Sequence, residues 1–258
     1  MLAFIARRIA ASRAWRYWLG KLSNQPGFQP IYDILVERMS AAMRGLRAAG
    51  YVPDAVVDVG AHSGEWTKLA LPCFPNARFL MIEAQPEKES LLRQVQASAP
   101  ARIDYAIALL GAESRASAEF FLADLGSSLY VENTAVVARR VDLPMLTLDE
   151  VLAREGVLGR IFLKLDVQGA ELDVLAGAVA TLARTDAILL EASVVEYNKG
   201  APRVAEVIGR LKALDFLLYD VCDLRRIGPV LAQTDLLFVR AGSALESHAR
   251  GVIAHYGI

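Results

Sequence analysis

Residues 54–71 read "DAVVDVGAHSGEWTKLAL", and the parsing of this stretch decides the fold. "AVVDVG" (55–60) is an unbroken apolar run closed by an acid and a glycine, the pattern of a strand buried on both faces of a parallel sheet. Helical spacing follows, with Leu69, Ala70, Leu71 and Phe74 forming a short apolar face. Gly60 and Gly64 let the intervening turn bend tightly and let a ligand approach the backbone. The carboxyl end of such a strand is where open α/β sheets take their ligands.

The same alternation continues down the chain. A helix from Ile31 stops at Gly50. "ARFLMIEA" (77–84) is a second strand, and "PEKESLLRQVQ" (86–96) a helix with proline near its start. "ARIDYAIALL" (101–110) reads as a third strand, "SAEFFLA" (117–123) as a shorter one, and "GSSL" (126–129) as loop. "TLDE" (147–150) is a capping box that opens a helix to about Glu155. "RIFLKLDVQG" (160–169) is a fourth main strand, with a helix over 170–182 behind it. "DAILLEAS" (186–193), a helix over 202–214, "FLLYDV" (216–221) and "TDLLFVR" (234–240) complete the pattern. Strands alternating with helices imply crossover units, hence an α/β fold with a doubly wound, mostly parallel open sheet covered on both faces. The expected division is an N-terminal helical extension over 1–50 and one domain over 51–258.

The turn limits its guest. D-x-G-x-x-x-G is not G-x-G-x-x-G, so a dinucleotide pyrophosphate is disfavoured, and no Gly-Lys-Ser/Thr follows to hold a triphosphate. Glu83 ends the second strand one crossover later, where a carboxylate can grip two ribose hydroxyls. A glycine turn plus a ribose-binding acid suits an adenosine cofactor without a pyrophosphate, and S-adenosylmethionine is the candidate. The competing reading is that Asp58 and Glu83 cap turns or helices.

Composition narrows the classes. The 258 residues are 54% hydrophobic and 22% charged with a formal net charge of -1, a globular profile without the electrostatic footprint of a nucleic-acid binder. Cys73 and Cys222 form no CxxC pattern and read as buried thiols in a reducing, cytoplasmic compartment. His62, His248 and His255 form no zinc set. The anomaly is residues 1–21, "MLAFIARRIAASRAWRYWLGK", with Arg7, Arg8, Arg13, Arg16 and Lys21 among apolar and aromatic residues and no acid before Asp33. Two readings stand: a docking or oligomerisation helix, or an interfacial helix at anionic lipid on the inner face of the membrane.

"VVDVGAHSGEWT", "IEAQPEKESLL", "IALLG", "SSL", "TLDEVL", "FLKLDVQGAELDVLAGA", "LLEASVVEYNKGAP" and "DLLFVR" occur in the order seen in the FkbM-type methyltransferases. Over roughly residues 50–240 the chain resembles that family, most specifically in "KLDVQGAELDVLAGA". The resemblance implies a class I, Rossmann-like methyltransferase fold with a seven-stranded sheet. It also implies S-adenosylmethionine as donor and O-methylation of hydroxyls on sugars, glycans, polyketides and related metabolites. It places the cofactor on Asp58, Gly60, Ala61, His62 and Gly64, with Glu83 on the ribose, Gln85 beside it, and Ile107 within the segment bordering adenine. Ser127, Ser128, Tyr197 and Asn198 fall on its substrate side, although by composition alone they are loop residues.

Methyl transfer to an alcohol requires an acceptor held in line and a place for its proton. Asp166 ends the fourth strand and Glu191 the fifth, and the class I strand order that the resemblance implies makes these strands neighbours beside the first. Asp166 is the first choice for general base or for a metal ligand holding the hydroxyl, and Glu191 the second. The alternative for Asp166 is a helix N-cap. Lys164, on the same face as Asp166, either pairs with the catalytic acid or contacts substrate, or makes a structural ion pair with an acid such as Glu171. Two carboxylates permit a divalent ion but do not demand one. Two other functions compete: N-methylation, disfavoured because "DVQG" replaces an Asn/Asp-Pro-Pro-aromatic run, and a non-catalytic scaffold.

Overall fold

The computed structural model describes residues 29–133 and 138–256. Segment 1–21, with the membrane and docking roles expected of it, lies outside the described residues. Helix α1 (Gln29–Ala48) ends in a Schellman motif: Tyr51 N donates to Leu46 O at 3.0 Å and Gly50 N to Arg47 O at 2.9 Å. Gly50 supplies the left-handed residue, with φ 83°. Met43 and Leu46 of this helix are buried in the core.

Seven strands form the main sheet: β1 (Ala55–Val59), β2 (Arg78–Glu83), β3 (Ile103–Ile107), β7 (Ile161–Leu165), β8 (Thr185–Ser193), β9 (Phe216–Ile227) and β10 (Val230–Arg240). Their order is β3-β2-β1-β7-β8-β10-β9, with β10 antiparallel to both neighbours and the other pairs parallel. From β1 the chain winds first toward β3, then returns to β7 and winds the other way. The reversal lies between β1 and β7, so their carboxyl ends flank the switch-point crevice. Every residue of both strands is buried.

Alternation along β1 serves two layers. Ala55, Val57 and Val59 face a core completed by α4 (Leu148–Arg154), α5 (Glu171–Ala176), α6 (Val179–Leu182) and α7 (Val204–Ala213). Val56 faces the other core, built with α1, α2 (Glu65–Ala70), α3 (Glu89–Ser98) and α8 (Ala244–His255). The capping box at α4 is present, with Thr147 and Glu150 bonded reciprocally. Among the described residues, no helix is long and apolar enough to cross a membrane.

Three expectations need correction. The strand read over 101–110 breaks at Ala108, whose N–H donates to Glu83 O at 2.9 Å. Beyond the break, β4 (Leu109–Leu110) joins β5 (Arg115–Leu122) and β6 (Arg139–Leu146) in a separate three-stranded sheet, and β6 was not anticipated. The helix over 170–182 is two, α5 and α6, because Gly177 packs where a Cβ would lie 2.3 Å from Gly111 O. The last hairpin is longer than its apolar segments suggested, and the terminal helix α8 follows it.

Candidate functional site

The turn after β1 is fixed by its contacts with the neighbouring strands. Gly60 has φ 77°, and a Cβ there would lie 2.0 Å from Asp166 O, so only glycine lets the β1 turn rest against the end of β7. Gly60 N and Ala61 N both donate to Ile82 O, at 2.9 and 3.1 Å. At Gly64, a Cβ would meet Val95 at 2.8 Å and Met81 at 3.0 Å, so α2 begins hard against α3 and β2.

Glu83 ends β2 beside this turn, with Ile107 opposite it on β3. Its carboxylate is buried and held by two backbone donors: His62 N to Oε2 at 2.7 Å and Gln85 N to Oε1 at 2.9 Å. Asp124, from the turn after β5, closes over this group. Its Oδ1 lies 2.9 Å from His62 Nε2 and accepts a very short bond from Lys88 Nζ, while its carbonyl accepts from Gln85 Nε2 at 3.1 Å. Partial burial pushes the Asp124 carboxyl up, but the bonds from Lys88 and His62 outweigh it and leave it below its ordinary value.

The second cluster sits at the ends of β7 and β8. Lys164 Nζ lies 3.1 Å from Asp58 Oδ1 and 3.5 Å from Asp166 Oδ2, beneath the Trp66 ring. Asp58 Oδ2 accepts from Thr67 at 2.8 Å. Lys164 is therefore paired with Asp58 and Asp166. Asp166 is no helix cap: α5 begins after Ala170 without a side-chain cap. Glu171 instead turns back to accept from Val167 N and Gly169 N, both at 3.1 Å. Burial pushes its pKa up to about 8, against the pull of those bonds, and the charges of Glu191 and Asp166 add to the rise.

Asp166 and Glu191 do meet, through a residue that the sequence did not single out. Gln168 Nε2 donates to Asp166 Oδ1 and to Glu191 Oε1, each at 2.7 Å. Gln233 Nε2 donates to the same Glu191 oxygen at 2.7 Å, and Arg225 holds Gln233 at 3.0 Å. Gln168 is itself strained, with φ 55°, a conformation that costs about 1–3 kcal/mol in a residue other than glycine. Ser128 Oγ donates to its carbonyl at 2.8 Å, and Asn198 Nδ2 donates to the same oxygen in a very short bond. A gap of one residue after an acid is no signal in sequence. Gln168 becomes visible only once β8 is known to lie beside β7.

The remaining expected residues divide. Ser128 and Asn198 join the Gln168 cluster, and Asn198 Oδ1 is buried without a hydrogen-bond partner. Ser127 closes its own turn, accepting from Ala123 N at 2.9 Å and donating to Asp124 O at 3.0 Å. Tyr197 is buried, and its carbonyl accepts from Asn133 N at 2.9 Å. Gly169 packs closely on Ala201, since a Cβ there would lie 2.7 Å from that side chain. Among the described residues, no group of three or more His, Cys, Asp or Glu is placed to hold a metal ion.

The model of the methyltransferase FkbM domain matches residues 58–218, more than half of the sequence. The chain belongs to the FkbM methyltransferase family. Its members are S-adenosylmethionine-dependent methyltransferases. Among solved structures, the FkbM methyltransferase of Methylobacillus flagellatus KT is 17% identical with a TM-score of 0.47, over 72% of this chain and 43% of that one. This chain therefore spans under half the length of that relative. The magnesium protoporphyrin IX methyltransferase of Synechocystis PCC 6803, determined with bound S-adenosylmethionine, is 12% identical with a TM-score of 0.49, over 93% and 98%. No curated protein matches the sequence.

The FkbM cofactor suits the donor set here. Each Glu83 oxygen uses one lone pair on a backbone N–H and keeps another, which is what two adjacent ribose hydroxyls require. Glu83 would hold the ribose with Gln85 beside it, the Gly60–Gly64 turn would lie along the cofactor, and Ile107 would border its base.

Proposed function

We propose that this FkbM-family chain methylates a hydroxyl of a sugar, glycan or related small metabolite, with S-adenosylmethionine as donor. The observation that carries the reading is the convergence of Asp166 and Glu191 on one amide nitrogen at the switch point, beside the β1 turn. A neutral amine already offers a lone pair to an electrophile, whereas an alcohol needs a base to take its proton. Two carboxylates at the transfer end of the cleft favour the hydroxyl.

When bound, the cofactor supplies a methyl group activated by the sulfonium sulfur. The residues of the chain position the acceptor and accept its proton. Asp166 is the base in this reading. Its side chain is 15% exposed, whereas Glu191 is buried and takes two amide donors on one oxygen. Lys164 Nζ places a positive charge 3.5 Å from Asp166 Oδ2. As the acceptor oxygen gains the methyl group, its proton passes to the Asp166 carboxylate.

Calorimetry with S-adenosylhomocysteine, followed by labelled-methyl transfer to a panel of hydroxylated acceptors, tests the proposal. Glu83→Ala should weaken binding about 10- to 100-fold, the worth of hydrogen bonds to a charged group. Asp166→Asn should bind normally and lose transfer. Failure of well-folded wild type to bind would overturn the reading and leave a non-catalytic scaffold.

A further inference from the structure

We propose that Gln168 is a positioning residue, whose side-chain amide holds Asp166 and Glu191 side by side as two ionised carboxylates. The importance of this for transfer rests on the function proposed above, but the arrangement itself does not.

An amide nitrogen carries two hydrogens, and here each carboxylate receives one at 2.7 Å. Ionised carboxylates only accept, so the amide must turn its nitrogen toward them. Two carboxylates this close without a donor between them repel, and one takes up a proton. With the donor in place, both can remain charged. Two further groups that reach the pair also donate: Lys164 from β7 toward Asp166 and Gln233 from β10 toward Glu191, the latter fixed by Arg225 of β9.

The acids nearby are accounted for as well. Asp58 of β1 shares Lys164 with Asp166, and Asp235 of β10 stands opposite Glu191 in the strand register. Burial pushes the pKa of Glu171 of α5 up to about 8, and the charges of the pair add to the rise.

The backbone shows the same purpose. Gln168 is held at φ 55° by two donors on its carbonyl, one from the loop after β5 and one from the loop after β8. Loops from three strand ends thus fix one residue, and the side chain of that residue fixes two carboxylates.

Carbon-13 spectra of the Asp and Glu carboxyl groups, titrated without donor or acceptor, test this directly. The samples are wild type, Gln168→Leu and Gln168→Leu/Glu191→Gln. In Gln168→Leu, the first proton uptake by the pair should move up by at least about one pH unit relative to wild type. The added Glu191→Gln removes the facing charge and should return Asp166 toward its wild-type titration. A wild-type titration in Gln168→Leu, or an upward shift that survives Glu191→Gln, would overturn the proposal. Should Gln168→Leu fail to fold, Gln168→Met removes the same donors with a closer shape. S-adenosylhomocysteine binding by the same wild-type sample separates the two questions, because its failure strikes the methyltransferase reading and leaves the titration result standing.

Discussion

Lys164 shows how much one side chain holds together at the residue scale. It is the counter-ion of Asp58, a carboxylate with no exposed surface, and it reaches Asp166 from the same face of β7. Lys164→Met should destabilise the protein by about 3–5 kcal/mol, since it leaves a buried charge uncompensated. Lys164→Met/Asp58→Asn should recover most of that loss. Urea unfolding of both variants decides the matter, and an unrecovered double variant would mean that the lysine acts through packing instead. The glycines allow a cleaner comparison. Gly60 and Gly200 both have φ 77°, but a Cβ at Gly200 meets nothing within 4 Å, while one at Gly60 meets Asp166 O at 2.0 Å. Gly200→Ala should cost about 1–3 kcal/mol, the strain of a left-handed alanine alone. Gly60→Ala should cost more and also weaken S-adenosylhomocysteine binding, because the turn has to move. Equal losses would show that the close approach is not what demands glycine.

Among the elements, the start of α5 carries an unusual pH dependence. Glu171 titrates near its ordinary value of 4.5 when unfolded and at about 8 when folded. Between those values the folded state binds more protons than the unfolded one, so stability falls as pH rises from about 4.5 to about 8. Glu171→Gln keeps an oxygen for Val167 N and Gly169 N and removes the ionisation. It should be more stable than wild type at pH 8, with the gap closing toward pH 4.5. A constant gap across that range would show that the carboxyl is already charged in the folded state. The elements also differ in how far they could be read from sequence. β1, β2, β7 and β8 are apolar runs that carry an acid or glycine near their ends, while their order came from the class I fold that the family resemblance implies. β6, "RRVDLPML", was hidden because it is half exposed in a small sheet and carries two arginines, an aspartate and a proline. The break at Ala108 and the split at Gly177 were hidden for a different reason. Each depends on what another part of the chain presses against that position, and local pattern does not contain it. The site divides in the same way. Asp166 and Glu191 were legible as strand ends, whereas Gln168 and Gln233 acquire a role only through the β7-β8-β10 order.

For the whole molecule, stability is unequally distributed. The main sheet has an extensive core on each face, while the small sheet buries little more than Leu109, Phe120, Leu122 and Met145. Units with few buried contacts open at lower free energy than the global transition, so the small sheet should exchange its amides before β1 or β7. One link between it and the turn after β1 is Asp124, bonded to His62, Lys88 and Gln85 on either side of Glu83. Asp124 is about half exposed, and exposed ion pairs contribute about 1 kcal/mol or less. Asp124→Ala should therefore leave global unfolding almost unchanged. It should nevertheless speed exchange at Phe121 and Ser128, whose amides bond each other's carbonyls across the adjoining turn at 2.9 and 3.1 Å. It should also weaken S-adenosylhomocysteine binding, because His62, whose backbone N–H holds Glu83, loses the carboxylate that fixes its ring, while the bond from Gln85 to the backbone carbonyl stays. A large drop in global stability would make Asp124 a structural residue of the core. Unchanged exchange with weakened binding would make its contact with the cofactor turn direct. Faster exchange together with weaker binding is the outcome expected if the small sheet steadies the cofactor site from outside the main fold.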